Sequence, residues 1–294
     1  MANVLTASTP EELETLIETA GDGDTILLES GDYGSVVFRD IVPEGLTIRS
    51  ADLENPASFT AMKIDGASDL TLDGLLFDFP FTPGEPNWAN PFHFSKIDYF
   101  TLTNSVFDGA LAQGVSEGED GHGWGMGVVI KGSSNVLFEN NEMYDFWKAL
   151  KVMNSEDVVI RSNDIHSMLM DGSNFVIVDG ILIEENHIHD FDTTGLSWDH
   201  CDMIQTWTNG TDGPSKDITI RGNILDIGEG EATQSIFMGN RLVSTGEAGE
   251  EMFYQNVVVE DNLIVNGHMH GIVVGASDGV TIQSNTVVHS DGSD

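Results

Sequence analysis

Residues 157–166 read DVVIRSNDIH and residues 180–190 read GILIEENHIHD. In each, apolar residues alternate with polar ones, a polar turn ends in asparagine (Asn163, Asn186), and a second short apolar run follows. Alternation of period two places Val, Ile and Leu on one face of a strand. The same pattern recurs at 69–78, 100–108, 135–145, 217–226, 256–265 and 279–288. With the asparagine slot as a ruler, Leu75, Ser105, Asn141, Asn163, Asn186, Asn223, Asn262 and Asn285 are separated by 30, 36, 22, 23, 37, 39 and 23 residues. A base period of 22 to 23 residues with longer excursions is what stacked β-coils require, each coil adding short strands that pair with the coil before. The spacing predicts an all-β, single-stranded parallel β-helix with the asparagines as a structural turn ladder.

One domain is expected over 1–294, with residues 1–24 as an N-terminal cap and coils from 25 onward. The cap is a helix signalled by Ser8-Thr9-Pro10-Glu11-Glu12, an apolar stripe at Leu13, Leu16, Ile17 and Ala20, and Gly21 as a stop. Insertions are expected at about 76–104, 106–140, 187–222 and 224–261, on one face, where solenoids build binding sites. No comparable cap follows the last coil, so the natural chain is expected to continue.

Composition narrows the partners. Forty-nine Asp and Glu stand against 11 Lys and Arg, for a net charge of −38, which opposes attraction to nucleic acid or an anionic membrane surface. The start, MANVLTASTPEELETL, has neither basic nor apolar signal regions, and no stretch of eighteen apolar residues occurs. A monomer is expected. The single cysteine, Cys201, excludes an internal disulfide.

Counting back from each asparagine aligns the strands at 127–131, 149–153, 172–176, 203–207, 235–239 and 271–275. Val129, Lys151, Asn174, Gln205, Phe237 and Val273 then form one outward column, and Lys131, Met153, Val176 and Trp207 another. The residues preceding these strands form a third: Met126, Lys148, Asp171, Asp202, Gln234 and His270. Asp171 and Asp202 thus fall on neighbouring rungs about 5 Å apart, with Lys148 one rung away and His200 and Trp198 in the adjoining insertion. The competing reading makes Asp171-Gly172 one more Asp-Gly turn. His187, His189, His268 and His270 read as a surface ladder.

An elongated groove of carboxylates, amides, lysines and tryptophans suits a linear acidic polysaccharide. In β-elimination, His200 or Lys148 is the base, while Lys151, Arg241 or a Ca²⁺ ion on Asp171 and Asp202 neutralises the sugar carboxylate. Hydrolysis would use the Asp171/Asp202 pair as acid and base. C5-epimerisation and glycan binding without catalysis complete the alternatives. Asn174, Gln205, Trp207, Trp198 and Arg241 are expected to hold substrate.

The segments DMIQTW, TQSIFMGNR, EEMFYQNVVVEDN and HGIVVG resemble right-handed, pectin-lyase-like β-helix modules of bacterial hemolysin-type calcium-binding secreted proteins. In coil organisation the chain is similar to mannuronan C5-epimerase modules, chondroitinase-B-like lyases and secreted exopolysaccharide glycanases. The resemblance implies a right-handed solenoid, a Ca²⁺ cofactor, and an extracellular setting reached through a C-terminal signal beyond residue 294. Where such relatives read Arg-Ser-Asp-Gly-Met-Asn-Phe, this chain has Leu169-Met170-Asp171-Gly172-Ser173-Asn174-Phe175, without the arginine.

Overall fold

The computed structural model describes residues 2–194, 201–230 and 233–290. Two stacks of parallel strands run the length of the molecule, one of sixteen strands and one of ten, and a short antiparallel pair, Ala110–Leu111 with Gly123–Trp124, stands apart. A coil contributes to the first stack either one long strand, such as Lys148–Arg161 or Asp171–Glu184, or two shorter ones in line, such as Met126–Lys131 and Ser134–Glu139, and to the second one short strand, such as Asp164–His166 or His187–His189. Between the two lies a core of apolar side chains in vertical files. Phe107, Met143, Ile165, Ile188, Leu225 and Ile264 are in register on the short strands and fully or almost fully buried. Toward the N-terminus the file is aromatic: Phe77 and Phe107 stack with centroids 4.3 Å apart, and Phe59 and Tyr33 continue the stack.

The corner between the stacks is built by two successive residues. Gly74, Asn104, Asn140, Ser162, Glu185, Gly222, Asp261 and Ser284 all take positive φ, the left-handed conformation that turns the chain sharply and that asparagine, aspartate and glycine tolerate best. The slot residue follows each. Asn163 Oδ1 accepts from the backbone N–H and the Nδ2 of Asn141 at 3.0 and 3.2 Å, while its own Nδ2 donates to Phe138 O at 3.0 Å and to Asn186 Oδ1 at 2.9 Å. Two acceptor sites and two N–H groups are therefore all used, which is the full capacity of an amide side chain. The same four bonds recur at Asn186, Asn223 and Asn262. Ser105 takes the slot with one acceptor, receiving the Leu75 N–H at 3.1 Å.

The capping helix spans Pro10–Thr19, with the Thr9 side chain accepting from Glu12 N and with Leu13 and Ile17 buried in the core. Helix geometry ends at Ala20, one residue ahead of the glycine expected to stop it. The longer excursions leave mostly from one corner, between short and long strands; the two described throughout are 79–91 and 109–125. Trp124 Nε1 donates to Glu85 O at 2.9 Å and ties the first two together. A further excursion at 240–253, holding the helical turn Arg241–Ser244, leaves from the end of Gln234–Gly239. These loops wall the first half of the long strands.

Replacing Asn163 by alanine removes four hydrogen bonds at once and takes from the buried Asn141 N–H and Phe138 O their side-chain partner, while Asn141 Nδ2 keeps Leu102 O and Asn186 Oδ1 keeps the residue-163 N–H. At roughly 1 to 3 kcal/mol for each unsatisfied buried group, partly relieved by water, Asn163→Ala is expected to cost at least about 3 kcal/mol. Asn285→Ala, at the half-exposed end of the ladder, should cost under half as much. Urea unfolding followed by circular dichroism compares the two midpoints.

A candidate active site on the long-strand face

The register fixes three outward files. Val37, Lys63, His93, Val129, Lys151, Asn174, Gln205, Phe237 and Val273 stand in one. Arg39, Asp65, Ser95, Lys131 and Met153 stand in a second, which Val176 and Trp207 extend. Lys148 opposes Asp171 and Asp202 opposes Gln234 in the third. The first file from Val129 onward, and the pairings Met126–Lys148, Lys148–Asp171 and Asp202–Gln234 of the third, are those expected from the asparagine ruler.

Asp171 is the first residue of a strand and does not belong to an Asp-Gly turn. A Cβ on Gly172 would lie 2.5 Å from Met203 O, so the glycine serves close approach of adjacent coils. Asp171 and Asp202, expected as a catalytic pair lining the groove, are 1% and 0% exposed and form its floor, with Lys148 paired to Asp171. Asp171 Oδ1 accepts the Asp202 N–H at 3.1 Å; its Oδ2 accepts from Asn174 Nδ2 at 3.1 Å and pairs with Lys148 Nζ. Gln205 Nε2 donates to Asp202 Oδ2, and Asn174 Nδ2 lies 3.2 Å from Gln205 Oε1. Asn174 Oδ1 is buried with no partner among the described residues.

This arrangement does not fit a calcium ion at Asp171 and Asp202. Calcium needs converging oxygen lone pairs, whereas the Asp171 carboxylate is ringed by N–H donors, one of them an ammonium.

Lys148 lies 4.8 Å from the Trp147 ring centroid and 6.0 Å from that of Trp207; Lys151 lies 5.4 Å from the Trp207 ring. Lys151 is half-buried and has no acidic partner among the described residues. Burial, then the like charges of Lys148 and Lys131, pull its pKa below the usual lysine range. Arg241, at the start of the helical turn, lines a cleft of about 420 Å³ with Trp207 and Phe237. His200 and Trp198 lie outside the described residues. Cys201 is buried, its thiol 3.6 Å from Leu169 O.

Sequence reasoning missed the N-terminal half of the groove. His93 sits two rungs from Lys151 in the same file; its Nδ1 is 2.9 Å from Asn90 Nδ2, and burial followed by Lys63 and Lys131 lowers its pKa. A cleft of about 600 Å³ gathers Arg39, Lys63, His93, Lys96 and Lys131, and one of about 580 Å³ adds Trp88. The ruler that would have placed them has no asparagine before residue 104 in these coils except Asn3, Asn55, Asn87 and Asn90, none in the slot.

The distribution of cations separates two halves of each long strand. Arg49, Arg161, Lys216 and Arg221, on the second half, pair with Asp73, Glu139, Asp179 and Glu184 at 3.7, 2.6, 3.6 and 2.7 Å. On the first half, Lys148 pairs with Asp171 and Lys96 with Asp65, whereas Lys63, Lys131 and Lys151 have no ion pair among the described residues. A ribbon of positive charge therefore crosses the rungs of a chain whose net charge is −38.

No curated protein matches the sequence. Among solved structures, a surface adhesin of Streptococcus pneumoniae, PfbA, is similar with a TM-score of 0.57 at 14% identity over 96% of this chain and 86% of its own. An alginate lyase from Paenibacillus sp. aligns with a TM-score of 0.43 at 14% identity over 99% and 98%. The A-module of a mannuronan C-5 epimerase from Azotobacter vinelandii aligns at 0.42 with 11% identity over 97% and 93%. At such identities the likeness concerns the fold. The family model described as a right handed beta helix region matches residues 92–293, and the chain belongs to that family.

Proposed function

We propose that the protein is a polysaccharide lyase that cleaves an acidic, uronate-containing glycan by β-elimination, in an extracellular setting. The observation that carries this reading is Lys151, a half-buried amine without a carboxylate partner, at the centre of a cationic file flanked by tryptophans. A linear polyanion laid across the rungs would meet Lys63, His93, Lys131 and Lys151 in turn, with Trp207 as a stacking platform.

Two roles expected from the sequence are exchanged in this reading. Lys148 is bound to Asp171, so it acts as a fixed ammonium that, with Lys131, neutralises the uronate carboxylate and acidifies the C5 proton. Lys151, its pKa lowered, supplies the free amine that removes that proton. Electrons from the C5–H bond form the C4=C5 double bond, the C4–O4 bond breaks, and the Lys151 ammonium returns its proton to the leaving oxygen. No step requires a metal. Asp171 positions Lys148, and Gln205 holds Asp202 beside it.

Incubation with polymannuronate, polyguluronate, chondroitin and hyaluronan, read by the ultraviolet absorbance of the unsaturated uronate, tests the reading directly. Reducing ends without that absorbance would establish hydrolysis in its place, and retention on a glycan-affinity gel without cleavage would establish a binding module. Lys151→Ala is expected to lower kcat by about 100-fold or more, the usual contribution of a general base.

The rate should rise with pH as Lys151 loses its proton, with the midpoint below the ordinary lysine value of about 10.4. Lys131→Ala removes a positive neighbour, so the Lys151 pKa rises and the limb moves to higher pH. A limb that stays in place in the Lys131→Ala pH profile would remove Lys151 from the base role.

A further inference from the structure

The ten-strand stack carries a second cluster, on a different face from the cationic groove. His187 and His189 are two apart on one strand and point the same way, with ring centroids 3.9 Å apart. The register places Asp164 opposite His187 and His166 opposite His189. Asp164 Oδ1 lies 2.8 Å from His189 Nε2 and 3.6 Å from His187 Nδ1. One donor atom from each of Asp164, His187 and His189 falls within 4.8 Å of the others.

We propose that Asp164, His187 and His189 form a binding site for a first-row transition ion of the zinc class. Two imidazoles and one carboxylate suit such an ion, and three protein ligands leave a position for water. Bond lengths near 2.0 Å put donor pairs of a tetrahedral site about 3.3 Å apart. The two pairs at 2.8 and 3.6 Å bracket that spacing, so small side-chain rotations admit the ion.

A second, independent feature points the same way. Asp190 Oδ2 lies 2.6 Å from His189 Nδ1. A carboxylate on the far nitrogen of a ligating histidine fixes the tautomer and aims the other nitrogen's lone pair at the metal. His166 does not join the set: its Nδ1 faces Ser167 Oγ at 3.0 Å and its Nε2 faces Glu142 at 3.5 Å, although its ring stacks on His189 with centroids 5.1 Å apart. The ion would join two successive coils through side chains, since Asp164 lies one coil before the histidines. Binding to the folded chain alone would raise its stability by mass action.

The full chain, freed of metal and titrated with Zn²⁺ against a chromogenic chelator, is expected to retain one ion. His189→Gln should weaken affinity at least as much as the 10- to 100-fold, roughly, expected for Asp190→Asn, and His166→Gln should leave it unchanged. With Cu²⁺ as probe, the electron paramagnetic resonance spectrum should show two nitrogen ligands in the parent and one in His187→Gln. Excess Zn²⁺ should raise the melting temperature of the parent and leave that of His189→Gln unchanged. Zn²⁺ lost to the chelator by the parent, equal affinity in His189→Gln, or loss of affinity in His166→Gln would each overturn the assignment. Circular dichroism confirms that the variants, altered at partly exposed side chains, remain folded.

Discussion

The hydrogen bonds along the asparagine ladder set the position of everything else. Each slot amide reaches back to a main-chain carbonyl and N–H of the preceding coil and forward to the next slot. Slipping one coil by a single residue would put a strand's apolar set on the wrong face and also leave buried amide groups without partners. Two penalties of different origin therefore enforce one register. The left-handed residue before each slot lets a side chain enter the core at a corner where the main chain turns. Insertions of very different length are tolerated because the ladder connects space neighbours: bonds of the same length join residues 22, 37 and 39 apart in sequence.

Fixed register turns sequence positions into files, and the files decide the electrostatics. On the second half of the long strands, glutamates and aspartates stand one rung from each arginine and are neutralised by it. On the first half, the neighbours of Lys63, Lys131 and Lys151 are His93, Val129, Met153 and Asn174. Lysines without counter-charges repel one another, and burial of Lys151 adds to the cost of its charge. Such a ribbon is unfavourable for folding by itself, in a protein with ample carboxylates to quench it. Under the proposed function, an anionic glycan lying along it offsets that cost.

The coil period, the slot residues and the files from 126 onward were legible because slot asparagine is chemically distinct and alternation is regular between 126 and 285. Burial was less legible. Asn174 occupies an outward position yet is fully covered, its amide turned onto the Asp171 carboxylate and onto Gln205 of the next coil, contacts that alternation alone does not reveal. For the same reason the carboxylates of Asp171 and Asp202 appear from the sequence as exposed catalytic pairs and in the fold as a floor. His93 was missed because Leu75 and Ser105 stand in the slots that bracket its coil, and the loop at 79–91 breaks the count. The histidine pair at 187 and 189 was visible as a ladder, but the aspartate opposite it emerges only from the pairing of successive coils.

The ion pair of Lys148 and Asp171 shows how the two levels meet. Asp171 is fully buried and the Lys148 side chain is 14% exposed. A pair so far removed from water contributes little to stability relative to apolar residues of similar size, because desolvation offsets the attraction, while removal of one partner is costly. Stability alone would favour an apolar solution such as the one inside the core where Ile204 meets Ile236. The polar solution does something an apolar one cannot. Asp171 is itself immobilised by the Asp202 N–H and by Asn174, and it holds a positive charge at one point above the floor, against the Trp147 ring. That fixed charge is three residues from Lys151 on the same strand and is among the causes that lower its pKa. In the proposed elimination, a fixed ammonium beside an amine of lowered pKa serves proton abstraction next to a carboxylate, and the pairing follows from placing one aspartate beneath one lysine in a register the asparagines enforce.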